Sequence, residues 1–264
     1  MKIKATIEYD GTQFSGWQFQ SDDVQTVQGE FERALDILYK SYSKQREESY
    51  KFLLLGSGRT DRDVHAKAQV ATFNWPENLE IDLGRFRHEI NGITPRAVSI
   101  VDLEFVPNSF CAKSTPHIKR YCYTITNTKS APVLAANTSW WISKKLDVKA
   151  MLDAIECIRG QHDFTSFRSK DCNAKTTLRT LNKVELELRD AKTIVITFEG
   201  GGFLKNMIRI IIGTLVEIGK GNLPASEMRK ILEARDRSFA GITAPGQGLC
   251  LEFVNYERPI SSCC

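Results

Sequence analysis

The sequence lacks any long unbroken apolar run. Its most apolar stretch, around 207–218, is interrupted by Arg209 and Glu217, so no membrane span is expected. The opening MKIKATIEYDG has neither the apolar core nor the cleavage site of a secretory leader. The seven cysteines are scattered (Cys111, Cys122, Cys157, Cys172, Cys250 and the closing pair Cys263–Cys264), with no CxxC or His-x-Cys spacing. That pattern argues against structural zinc and a disulfide framework, and points to the reducing cytosol. His65, His88, His117 and His162 share no metal-ligand spacing, and no Ser-His-Asp order suggests a hydrolase triad. There is no GxxxxGK[ST], and GSGR is not GxGxxG, so nothing supports a nucleotide cofactor.

What is present is an ordinary globular composition. The 264 residues are 42% hydrophobic and 26% charged, enough for one large core or two ordinary domains. Lys and Arg number 36 against 32 Asp and Glu, a net charge of +4. So small an excess does not prove nucleic-acid binding, but it allows a basic groove if the cations are gathered locally.

Patterning divides the chain into two similar runs. Residues 2–9 alternate as a half-buried strand, a Gly-rich loop follows, and Val27, Phe31, Leu35 and Leu38 mark a helix over about 26–42 with Thr26 as N-cap. Residues 50–55 and 68–73 read as strands bracketing GSGRTD, before a short helix near 82–91 and a strand near 97–105. This is the order of a ferredoxin-like split βαβ unit. After a Pro107–Pro116 linker come a strand at 118–127, a helix at 148–159 ending before Gly160, and a hairpin of 180–188 with 193–198. Helices at 203–218 and 224–235 and a strand near 248–255 complete the chain. The expected class is α+β in two halves, 1–106 and 107–264.

Several residues invite a chemical reading beside a plain one. Asp61, in GSGRTDRDVHA, is either a turn residue or an ionised carboxylate supported by Arg59. Arg209 lies among Met207, Ile208, Ile210, Ile211 and Ile212. It either snorkels along the surface or is buried against a carboxylate, for which Asp61 is a candidate. Tyr121 and Tyr123 share a strand face with Lys119, which suits base stacking or an ordinary core. In HDFTSFRSKDC, Phe164 and Phe167 are either RNA contacts beside Arg168 or anchors to the core; the aromatics of YDGTQFSGWQFQ pose the same choice.

Six stretches taken together narrow the choice. In order and along nearly the whole chain, EYDGTQFSGWQFQ, GRTDRDVHAKAQV, RYCY, DFTSFR, GGFLKNMIR and TAPGQGLCL resemble the signatures of the tRNA pseudouridine synthase A family. GRTDRDVHAKAQV is similar to its catalytic-loop pattern GRTDxGVHAxxQV. The resemblance implies a pseudouridine-synthase fold, with a mainly antiparallel sheet and a central cleft between the halves. It implies that Asp61 is the catalytic aspartate, that Tyr121 stacks on the target base, and that Arg209 keeps Asp61 ionised. Arg59 and Arg168 would bind RNA and hold the base out of its stack, and Leu249 would pack near the uracil. The implied partner is the anticodon stem-loop of tRNA, bound by a homodimer, with no cofactor.

The sequence departs from the pattern twice. Arg62-Asp63 replace the usual Ala-Gly, and if that glycine needs a positive φ, Asp is among the least costly substitutes. Lys205-Asn206 replace aromatic or His residues. Competing readings are a catalytically degenerate tRNA-binding protein of the same fold, and a hydrolytic nucleosidase using Asp63 as a second carboxylate.

Overall fold

The computed structural model describes residues 1–44 and 50–256, so the Cys263–Cys264 pair lies outside the described residues. The chain divides into two compact units, Met1–His117 with the segment from Leu251 onward, and Ile118–Cys250.

In the first unit β1 (Lys2–Tyr9) leads to α1 (Val27–Ser43), capped by Thr26, whose side chain accepts from Gly29 N at 3.2 Å. Then follow β2 (Leu55–Gly56), β3 (His65–Asn74), α2 (Leu83–Ile93) capped by Asp82, and β4 (Val98–Val106). β1 lies between β4 and β3, and β2 pairs with β3, all antiparallel. This 4-1-3-2 order is that of the split βαβ unit expected from the sequence. Of the expected 50–55 strand only Leu55 pairs with β3, together with Gly56 beyond it. The core forms where Phe31 of α1 meets Phe73 edge-on at 5.5 Å. Trp75 gathers Tyr39, Tyr42, Phe52 and Phe86 around it. Rings of this size dominate burial energetics, at about 1.5–3 kcal/mol for a Phe taken out of water.

The second unit begins with β5 (His117–Asn127) and β6 (Trp140–Ile142), which run parallel, followed by α3 (Val148–Ile155) and a 3-10 turn at Glu156–Ile158. β7 (Gly160–Asp163) and β8 (Leu178–Leu181) form a separate two-stranded sheet. β9 (Lys183–Leu188) and β10 (Thr193–Gly200) form the expected hairpin, and β10 also pairs antiparallel with β5. α4 (Met207–Gly219), α5 (Glu227–Ala234) and β11 (Leu249–Tyr256) close the chain, β11 running on into the first unit beside β3. The strand expected over 180–188 is broken at Asn182, whose N–H turns to Glu199 O at 2.8 Å. The α4 helix starts four residues later than its apolar pattern suggested, because Asn206 adopts φ 60 and stops the helix there. β6 and β7 had too few residues to register as strands. Each unit is α+β with mainly antiparallel sheets. Among the described residues, no helix is long and apolar enough to cross a membrane.

Candidate active site

In the first unit, the loop carrying Asp61 is held from several directions. Ser57 N donates to Val70 O at 2.7 Å and its hydroxyl to Gln69 Oε1 at 2.7 Å, while Gln69 Nε2 donates to Gly58 O at 2.9 Å. Thr60 Oγ1 shares a buried 2.8 Å hydrogen bond with the Tyr9 hydroxyl, and Thr60 O accepts from Trp17 N at 3.1 Å. Asp61 O accepts from Val64 N at 3.2 Å, closing the turn. Asp61 is therefore half-buried on a backbone fixed on both sides, with Arg59 and Arg62 exposed beside it.

The opening YDGTQFSGW loop is the wall of this cradle. Tyr9, Phe14 and Trp17 are all buried, so its aromatics belong to the core rather than to an exposed face. Its glycines allow close approach. At Gly16, with φ +110, a Cβ would sit 2.8 Å from Thr60 O; at Gly11 it would sit 2.1 Å from Val64 O. Asp63 has φ 66, so the position where the pattern carries glycine has the left-handed conformation in this chain. Asx residues tolerate it best after glycine.

In the second unit, Tyr121 and Tyr123 point to one face of β5, as their spacing predicts. They do different work. Tyr121, 7% exposed, meets Phe203 edge-on at 5.3 Å and lies opposite Phe198 of β10. Tyr123 is fully buried; its hydroxyl donates to Pro245 O at 2.9 Å, burial pushes its ionisation well above the usual tyrosine range, and Gly248 fits against its ring because it has no Cβ. Arg209 is half-buried at the start of α4. Its Nε donates to Ala244 O at 2.7 Å and its Nη1 to Asn206 Oδ1 at 2.8 Å. Tyr123 and Arg209 thus grip consecutive carbonyls of the 244–249 segment, which ends in the buried Leu249. Tyr121, Arg209 and Leu249 are in this way tied to one scaffold of β5, α4 and that segment. Phe164 and Phe167 are fully buried, so in DFTSFR they anchor the loop while Arg168 stands half-exposed.

Sequence reasoning had not seen Asn206 as an organiser. It turns in the left-handed region, donates to Ser169 Oγ at 2.6 Å and accepts from Arg209, linking the 169 loop to α4. An Asn directly before an apolar helical run was the available signal. Lys119, on the Tyr121 face, is 8% exposed, and burial lowers its ammonium from 10.5 to about 8. Because the folded value is depressed, the unfolded chain holds more protons between those two values. Stability contributed by this group therefore rises with pH across that window and is lost as pH falls through about 8. Urea unfolding at several pH values should show that rise in wild type and a flatter curve in Lys119→Met.

Charge is unevenly divided. Residues 118–250 carry 21 Lys and Arg against 13 Asp and Glu, a net +8, while the remainder carries 15 against 19, a net −4. The modest overall excess conceals a strongly basic second unit. Among the described residues no group of three or more His, Cys, Asp or Glu is placed to hold a metal ion.

The chain is similar to known proteins along nearly its whole length. The sequence profile of a family described as tRNA pseudouridine synthase matches residues 154–257. The chain is 39% identical over 254 residues to tRNA pseudouridine synthase A 2 of Clostridium perfringens, covering 96% of this chain and 99% of that protein. It is 40% identical over 255 residues to tRNA pseudouridine synthase A of Geotalea uraniireducens, with 97% and 99% covered. The corresponding protein of Acetivibrio thermocellus is 40% identical over 254 residues, with 96% and 99% covered.

Proposed function

The chain belongs to the tRNA pseudouridine synthase A family, and from that premise we propose that it isomerises uridine to pseudouridine in the anticodon stem-loop of tRNA, in the cytosol. Asp61 is the catalytic carboxylate, Tyr121 stacks on the flipped-out uracil, and Arg209 is the cation that keeps Asp61 ionised. Arg59 and Arg168 hold the RNA with the base out of its stack, and Leu249 packs against the uracil. The observation that carries this reading is the tight bracing of the Asp61 backbone. A carboxylate that must reach one reacting atom gains from a backbone that does not move.

The chemistry suits a single carboxylate. The N1–C1′ bond of uridine breaks, the uracil turns over, and C5 joins C1′; C5 loses a proton and N1 gains one, so no atom is added or removed. A carboxylate serves either first step open to it, attack on the nucleotide or abstraction of a sugar proton. Glycoside hydrolysis needs a second carboxylate to activate water, and this reaction consumes no water. Extruding the base costs a few kcal/mol, which stacking on an aromatic and phosphate contacts offset. The +8 of the second unit supplies the attraction to a polyanion.

The test is pseudouridine formation on unmodified tRNA transcripts, read by mass spectrometry with positional mapping. Product confined to anticodon stem-loop uridines is expected. Binding without any product would instead favour the degenerate tRNA-binding reading, and free uracil would favour the nucleosidase. We also propose a homodimer. Val133 and Leu134, 87% and 100% exposed, offer apolar surface that a second copy would cover. Sedimentation velocity should give a dimer for wild type and a shift toward monomer for Leu134→Glu; a monomeric wild type would refute the dimer.

A further inference from the structure

Residues 235–243 form a ledge that the proposed chemistry leaves unused. Arg235 turns the chain out of α5 in the left-handed region, at φ 50. Asp236 caps the following 3-10 turn, Arg237–Phe239, by accepting from Ser238 N at 2.8 Å. Asp236 N donates to Ser166 Oγ at 2.9 Å, and the fully buried Ser166 hydroxyl donates in turn to Ile231 O. Arg237 donates to Ala240 O at 3.1 Å and to Thr243 Oγ1 at 3.4 Å. Gly241 N donates to Thr214 Oγ1 at 2.9 Å, and the chain runs so close to α4 that a Cβ at Gly213 would lie 1.8 Å from Ile242 O.

The backbone of this ledge is pinned to α4, to α5 and to the DFTSFR loop. Even so, Phe239 is 61% exposed and Ile242 58%. A phenylalanine held in water by a rigid backbone adds little to folding. Cations stand around it, two of them beside carboxylates, Arg235 by Asp163 and Lys170 by Asp236. The turn Thr165–Phe167, which ends at Arg168, packs on the Phe239 turn. Lys170 reaches Asp236 closely enough to help hold its carboxyl low, after the hydrogen bonds from Ser238. Arg235 is largely exposed as well, with its Nε 3.3 Å from Asp163 Oδ2. A flat ring among cations, on the unit that carries the net +8, complements a base flanked by phosphates.

We infer that Phe239 is a second stacking platform, on which a base of the RNA other than the target uridine rests, with Arg168 and Lys170 holding the neighbouring phosphates. This deepens the proposed function and rests on RNA being the substrate. Steady-state kinetics with an unmodified tRNA transcript test it. Phe239→Ala should raise KM on the order of tenfold with kcat unchanged. Phe239→Trp should restore KM, whereas Phe239→Leu, apolar but without a flat face, should not. An unchanged KM in Phe239→Ala overturns the inference, as does rescue by Leu. So does a loss of self-association with KM unaltered, which would mean that the ledge meets a second copy of the chain. If wild type forms no pseudouridine at all, the proposed function fails separately. In that case fluorescence anisotropy with the same transcript still decides the stacking role, through a tenfold weaker Kd for Phe239→Ala or none.

Discussion

Asp61→Asn should abolish pseudouridine formation, lowering the single-turnover rate on the order of 10⁴-fold or more, while tRNA affinity stays within a few-fold of wild type. The amide matches the carboxylate in size but is neither a nucleophile nor a base at neutral pH. The surrounding loop should persist. Its main chain is held by Trp17 N on Thr60 O, by Val64 N on Asp61 O, and by the Ser57–Gln69–Gly58 hydrogen bonds. Binding is expected to survive because a carboxylate offers phosphate no attraction, and the Lys and Arg of the proposed RNA contacts are left in place. Asp61→Glu is a useful companion. Its extra methylene displaces the carboxylate by about 1 Å, a misplacement that costs roughly 10²-fold even when the functional group is retained. Rapid-quench assays of the three proteins, beside filter binding of the same transcript, separate the effects. Substantial product from Asp61→Asn would sink the assignment and send the search for the catalytic group elsewhere.

The second large effect is expected from a residue with no functional group. Gly11→Ala should lower kcat about 10²-fold and destabilise the first unit by about 1–3 kcal/mol. The added Cβ would lie 2.1 Å from Val64 O, 2.4 Å from its carbonyl carbon and 2.8 Å from Asp63 C. All three are backbone atoms, so no side chain can swing aside. Relief has to come from movement of the main chain. Either the opening loop or the turn from Asp61 to Val64 must retreat by about 1 Å to reach ordinary contact. The opening loop is anchored away from the turn by Asp10 N on Ala97 O at 2.9 Å, so part of the movement falls on the Asp61 turn in spite of its own hydrogen bonds. The Asp61 turn is therefore expected to yield, carrying the carboxylate with it. Thermal unfolding with single-turnover kinetics should show a modest loss of Tm beside a disproportionate loss of rate. A wild-type rate in Gly11→Ala would mean that the position of the turn does not govern catalysis.

The departures at 62–63 and 205–206 gain a physical meaning from the fold. Asp63 and Asn206 each stand where the backbone has a positive φ, at 66 and 60. Side chains of the Asx type are the non-glycine residues that bear this conformation at least cost. Asn206 also binds both Arg209 and Ser169, so it organises as well as tolerates its position. At both departures an Asx residue stands where this chain's backbone is left-handed.

Sequence alone determined the elements whose periodicity is strong. The α1 stripe, the Thr26 cap, the alternation of β1 and the β9–β10 hairpin follow from local patterning, because apolar spacing at 3.6 or 2 residues reflects a single buried face. It also singled out Asp61, Tyr121 and Arg209 as residues worth a chemical reading. Only tertiary structure decided which aromatics are core and which are exposed. Phe14, Trp17, Phe164 and Phe167 are buried while Phe239 stands in water, although all sit outside the α-helices and strands in polar segments. Tertiary structure likewise made Gly11 a keystone for a turn some fifty residues away, and joined Ser166 to Asp236 across seventy. Burial and close backbone approach are properties of what the rest of the chain packs against a residue, and no local pattern encodes them.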